Sequence, residues 1–123
     1  MEEILKLFEE NKLSQVRKKL MDMNAADIGY YLEELDAEKS LIMFRILPKD
    51  LAVETFSHIS REKQRHIGES ITEKELLNIL DNLYLDDTVD YLEELPANMV
   101  KKILGNTEKN RRNLINQFLN YPE

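Results

Sequence analysis

Leu35, Leu47, Ile59, Ile71, Leu83 and Leu95 recur at intervals of twelve residues, and Met23 extends the series backward. The residues that follow them are mostly helix starters or breakers: Asn24, Asp36, Pro48, Ser60, Thr72 and Pro96. Ser, Thr, Asp and Asn accept hydrogen bonds from the free N–H groups of a first turn, and Pro tolerates the N1 position. Apolar pairs also fall three or four residues before the next position of the series. Tyr31/Leu32, Met43/Phe44, Ile79/Leu80, Tyr91/Leu92 and Ile103/Leu104 are examples, and that spacing is one helical face. The repeating unit is therefore a short helix plus a tight turn, and two units make a hairpin of 24 residues. Helices of roughly nine residues are marginal alone and persist only by stacking on neighbours. The expected fold is all-α, an α-solenoid or superhelix.

Composition sets the outer limits. A chain of 123 residues with 42% apolar content is expected to form a single domain over 1–123. No apolar run approaches the ~18 residues of a membrane span, so no direct membrane insertion is expected. The acidic start Met1-Glu2-Glu3 lacks the pattern of a secretory signal. The absence of Cys rules out disulfides and thiolate metal sites. A net charge of −7 argues against a general nucleic-acid binder, which needs clustered Lys and Arg. That charge is unevenly placed. Glu75, Asp81, Asp86, Asp87, Asp90, Glu93 and Glu94 occur between Glu75 and Val100, with no Lys or Arg among them. Lys101, Lys102, Lys109, Arg111 and Arg112 then reverse the sign.

The pattern predicts ten helices, near 2–10, 13–22, 25–34, 37–46, 49–58, 61–69, 73–82, 86–94, 97–104 and 107–120. Glu9-Glu10-Asn11-Lys12 is the first turn, Thr72 with Glu75 offers a capping box, and Gly105-Asn106 reads as a C-cap. Asn120-Tyr121-Pro122 is the expected final stop. The strongest internal echo pairs Asp27-Ile-Gly-Tyr-Tyr-Leu-Glu-Glu-Leu35 with Asp87-Thr-Val-Asp-Tyr-Leu-Glu-Glu-Leu95, sixty residues later.

Enzyme signatures are missing: no Gly-rich phosphate loop, no Gly-x-Ser-x-Gly elbow and no His-Glu-x-x-His helix, so an enzyme is not expected. His58 and His66 read as ordinary helix residues rather than a zinc pair. In the acidic stretch, Asp86 and Asp90 are four apart and share a helix face, and no base lies nearby in sequence. Two readings of these acids stand side by side. Asp86 and Asp87 cap and complement a helix N-terminus, or the carboxylates await a hard cation such as Mg²⁺, which needs only one or two of them. Glu33-Glu34 and Glu93-Glu94 read as solvated faces, and the basic last helix as solvated with a docking face.

Four segments resemble the intracellular N domain of MgtE-type magnesium transporters. Asn24-Ala-Ala-Asp-Ile-Gly-Tyr-Tyr-Leu-Glu-Glu-Leu-Asp36 is similar to its opening "hP-x-D-I-A-x-L-L-E-E-L". Phe44-Arg-Ile-Leu-Pro-Lys-Asp-Leu-Ala-Val-Glu54 is similar to "F-R-L-L-P-x-x-x-A-x-E". Leu85-Asp-Asp-Thr-Val-Asp-Tyr-Leu-Glu-Glu-Leu-Pro96 matches "D-D-A-A-D-L-L-E-E-L-P", and Leu119-Asn-Tyr-Pro-Glu123 looks like "L-x-Y-P-E".

The resemblance implies a right-handed superhelix of about ten short helices on the cytoplasmic side of the membrane. It also implies CBS domains and a dimeric transmembrane pore in the same polypeptide, a homodimer when complete. In that picture Mg²⁺ between the N and CBS domains neutralises facing carboxylates and favours a closed assembly. Carried over by motif, Glu54, Asp86 and Asp90 are the expected interface ligands, with Asp87 as a neighbour, and the superhelix must bring Glu54 to their surface. Mg²⁺ binding by this domain alone is expected to be weak. Neutralising Asp86 and Asp90 is expected to stabilise it slightly. Gly29 and Gly68, in place of helix-favouring residues, are expected to loosen their units. The alternative reading is a helical-repeat scaffold or adaptor, of the flagellar motor switch kind, that binds a protein partner.

Overall fold

A computed structural model describes residues 2–119. It contains α1 Glu2–Glu9, α2 Leu13–Met21, α3 Ala25–Glu34, α4 Ala37–Arg45, α5 Lys49–Phe56, α6 Arg61–Ser70, α7 Glu73–Asn82, α8 Leu85–Glu93, α9 Ala97–Gly105 and α10 Lys109–Phe118. Among the described residues there is no strand, and no helix is long and apolar enough to cross a membrane. The all-α reading holds, and every expected helix is present within about two residues of its expected bounds. The expected stop at Asn120-Tyr121-Pro122 lies outside the described residues.

The twelve-residue series has a specific local meaning. Its members are the residues just before the N-caps: Asn24, Asp36, Pro48, Thr72, Tyr84 and Pro96 follow directly. That is the outer position of a hydrophobic staple, whose partner lies at N4. The N4 residues Ile28, Ser40, Ala52, Leu76, Thr88 and Val100 are all buried. They alternate between apolar (Ile28, Ala52, Leu76, Val100) and hydroxylic (Ser40, Thr88) on the 24-residue hairpin period. Asn24, Asp36 and Thr72 accept from the backbone N–H three residues on, and Thr72 with Glu75 completes the capping box. The prolines sit one residue earlier than the N1 position, at the N-cap. Asn11 turns the chain between α1 and α2 with φ 60°, a left-handed conformation that Asn tolerates.

Contacts divide the chain into two compact units, residues 1–60 and 61–123. In the first, α3 packs on α4 and α5, and α1 on α2. Val16, Leu20, Ile28, Leu32, Met43 and Phe56 are fully buried there, with the Phe44 and Phe56 rings tilted 60° at 6.1 Å. In the second unit α8 packs on α6 and α10, and Ile67, Leu92, Thr88 and Ile115 are fully buried.

The three glycines have settings that spacing alone did not display. Gly29 and Gly68 are both buried within their helices. A Cβ on Gly29 would meet the His58 carbonyl oxygen at 3.0 Å, and one on Gly68 would land on the Tyr91 hydroxyl. Each glycine therefore permits a close approach between elements, which is a packing reason no local propensity displays. The expected cap at Gly105-Asn106 is present: α9 ends at Gly105 with Asn106 as its C-cap, and since no glycine has positive φ the cap is not a left-handed one. The Asn106 Nδ2 amide then donates to the Lys102 carbonyl at 2.9 Å and stops the helix.

Candidate functional site

α8 starts at Leu85, with Tyr84 as an N-cap that lends no side-chain hydrogen bond. Asp86 and Asp87 therefore occupy N2 and N3, where a carboxylate faces the positive end of the helix dipole. Neither is the N-cap that spacing alone allowed. Asp86 and Asp90 are both exposed, one turn apart on one face. They line a depression of about 450 Å³ with Tyr84, Leu85, Val89 and Phe118. Tyr84 is 81% exposed and Phe118 59%, so apolar ring surface borders the two carboxylates. Asp87 is half-buried and engaged by an interaction of its own, so it does not share the setting of Asp86 and Asp90.

Glu54 belongs to the first unit. It is exposed on α5 and lines a depression of about 260 Å³ with Met21, Pro48, Asp50 and Leu51. Asp50 is the residue that sequence reasoning passed over. Counted from the N-cap, Asp50 and Glu54 hold N2 and N6 of α5, and Asp86 and Asp90 hold N2 and N6 of α8. The twelve-residue register was the available signal. Elsewhere in the series, N2 and N6 carry Ala26 and Tyr30, Glu38 and Ile42, Glu62 and His66, Lys74 and Asn78, Asn98 and Lys102, or Asn110 and Leu114. Only α5 and α8 place two acids there. The internal echo sharpens the point. α3 repeats the motif of α8 with the same buried tyrosine and leucine, Tyr31 and Leu32 for Tyr91 and Leu92, yet has Ala26 and Tyr30 in place of Asp86 and Asp90. The motif forms its helix without those acids.

The acidic stretch also has bases that its sequence neighbourhood lacks. Arg61 Nη1, at the start of α6, donates to Glu94 Oε1 at 2.6 Å, and Arg65 Nη2 lies 3.8 Å from Glu94 Oε2. The hydrogen bond to Glu94 and then its charge, with Asp90 and Glu93 adding, hold the Arg61 guanidinium above its ordinary pKa. Glu94 is therefore paired rather than merely solvated. In the first unit, Glu33 Oε1 accepts from the Ser60 backbone N–H at 2.6 Å. Arg111 does not face outward as a basic docking helix would have it. Its Nη2 donates to the carbonyls of Leu80 (2.8 Å) and Leu83 (2.9 Å) and to Thr88 Oγ1 (3.1 Å).

As a donor set, Asp86 and Asp90 offer only hard oxygens, which suits Mg²⁺ or Ca²⁺ and disfavours soft metals. Among the described residues, no group of three or more His, Asp or Glu is arranged to hold a metal ion. Two carboxylates with retained waters meet the minimum for Mg²⁺ only if another surface contributes further oxygens.

The family described as the MgtE intracellular N domain matches residues 23–123. The match begins at Met23, where the twelve-residue series begins. Among solved structures, the chain is similar to the cytosolic domain of the Mg²⁺ channel MgtE in complex with ATP. The TM-score is 0.82 at 24% identity, covering 98% of this chain and 50% of that one. That likeness establishes the shared fold, and this chain spans about half the length of that structure's chain. No curated protein matches the chain.

Proposed function

The chain belongs to the MgtE intracellular N domain family, and from that premise we propose that it is the regulatory Mg²⁺-sensing domain of a magnesium transporter. Asp86 and Asp90 on α8, with Glu54 on α5, are the carboxylates through which Mg²⁺ draws this domain onto the CBS domains of the same polypeptide. The reading places it on the cytoplasmic side of the membrane, in a homodimer whose transmembrane pore it holds closed when Mg²⁺ is plentiful. When Mg²⁺ falls, repulsion between facing acids releases the domain.

The observation that carries the reading is the exposed Asp86–Asp90 pair, absent from the otherwise equivalent α3. Two like charges one turn apart cost a helix roughly 0.2–0.5 kcal/mol. A carboxylate at N2 offsets that cost through the helix dipole, and α3 forms the same motif without either acid, so folding does not require the pair. The bordering Tyr84 and Phe118 rings supply apolar surface suited to a protein partner, which a metal alone does not require. With two ligand residues on α8, affinity of the isolated chain for Mg²⁺ is weak, and the partner's oxygens complete the shell.

A Mg²⁺ titration followed by backbone amide shifts tests this. Asp86 and Asp90 are expected to respond at the lowest Mg²⁺ concentrations, and more tightly once the CBS-domain pair is added. Stationary Asp86 and Asp90 amides in both titrations would overturn the proposal.

A further inference from the structure

Arg111 is the one base of α10 whose guanidinium reaches the α7–α8 junction in the hydrogen bonds above. Leu80 and Leu83 lie at the C-terminal end of α7, where the last carbonyls of a helix have no intrahelical donor. The Thr88 hydroxyl donates to the Leu80 carbonyl at 3.0 Å and accepts from Arg111 at 3.1 Å. Arg111, Leu80 and Thr88 thus close a triangle of hydrogen bonds, with the Leu83 carbonyl as a fourth member. A cation at a helix C-terminus is also favoured by the dipole.

The mechanical consequence lies in α8. Thr88 is fully buried at N4, flanked at two residues on either side by Asp86 and Asp90. Holding Thr88 fixes the turn that presents both carboxylates. The Glu108 carboxylate accepts from the Arg111 backbone N–H at 3.1 Å, which anchors the other end of the link at the start of α10. The Arg111 Nε is buried and has no hydrogen-bond partner among the described residues, so the guanidinium is placed for its Nη2 contacts rather than for solvent.

We infer that Arg111 is a positioning residue: by tying Thr88 to the end of α7, it sets the first turn of α8 and hence the spacing of Asp86 and Asp90. The functional part of this inference rests on the Mg²⁺ reading above; the structural part does not.

The test compares Arg111→Met, Thr88→Val and Arg111→Lys with the unaltered chain, by amide hydrogen exchange and by Mg²⁺ titration. Arg111→Met is expected to speed exchange at the Thr88 and Val89 amides by about tenfold, the factor for losing a charge-assisted hydrogen bond, while α9 amides keep their rates. It is also expected to raise the Mg²⁺ concentration that half-shifts the Asp86 and Asp90 amides. Thr88→Val, which keeps the side-chain volume, is expected to do the same and carries the test if Arg111→Met does not fold. Arg111→Lys is expected to restore both readouts, because an ammonium offers three protons to the same three oxygens. Exchange that rises equally in α9 marks a global loss of stability and overturns the inference. Faster α8 exchange with unchanged Mg²⁺ midpoints overturns the positioning role. If the unaltered chain shows no Mg²⁺ response, the metal reading fails by itself, and exchange alone decides whether Arg111 sets the turn.

Discussion

Replacing Gly68 by Ala separates helix propensity from packing. Inside α6 the change should gain about 1 kcal/mol, the ordinary difference between Gly and Ala in a helix interior. At this position the new methyl lands on the Tyr91 hydroxyl, 3.2 Å from Tyr91 Cζ and 3.6 Å from Leu76 Cδ1. Tyr91 is only 4% exposed, so its ring cannot swing aside without displacing neighbours. Overpacking a filled site costs about 1–3 kcal/mol, and the depth of this overlap favours the upper half of that range. The difference leaves Gly68→Ala less stable by about 1–2 kcal/mol. Gly105→Ala is the internal control. Its Cβ meets nothing within 4 Å and its φ is not positive, so the same substitution should gain about 0.5 kcal/mol there. Both positions lie in the second unit and are read from one transition. Urea denaturation followed by far-ultraviolet circular dichroism measures both, with a thermal shift of about 4 °C expected per kcal/mol. A Gly68→Ala protein as stable as the original, or two variants that shift in the same direction, refutes the packing argument. The stake reaches the acidic face, because α6 carries the arginines that pair with Glu94.

Asp86→Asn with Asp90→Asn removes a repulsion of about 0.2–0.5 kcal/mol but also a favourable dipole interaction of about 0.3–1 kcal/mol at N2. The earlier expectation of slight stabilisation therefore gives way to a melting point within about 3 °C of the original, with the Mg²⁺-dependent amide shifts on α8 abolished; persistence of those shifts contradicts the ligand role. Burial, with the Glu69 charge adding, pushes the Tyr91 phenol from 10.0 to about 12. Its folded pKa lies above the unfolded one, so its contribution is intact below pH 10 and is lost as the pH rises toward 12. Ultraviolet absorbance should show a late-titrating phenol that Tyr91→Phe deletes; a spectrum unaltered in that range rules out the buried setting. Thr72→Ala breaks the capping box of α7 and should cost about 1 kcal/mol, whereas Thr72→Ser should retain most of it. Equal losses in a denaturation series for the two would show that the hydroxyl is not the group that matters.

What the amino-acid sequence determined by itself was the local architecture. Ten helices, their turns and most of their caps follow from a twelve-residue period, because amphipathic spacing and a capping side chain act within four residues of where they stand. The candidate acids Glu54, Asp86 and Asp90 were legible from motif, and the Asp50–Glu54 pair was available in the register though not drawn from it. Tertiary structure decided matters that join residues far apart in the chain. Arg61 reaches Glu94 across 33 positions and Arg111 reaches Leu80 across 31. Gly68 becomes necessary only because Tyr91 packs against it. No propensity or cap encodes such pairings: each depends on which helix faces come together, and that is settled when the stack buries its apolar side chains.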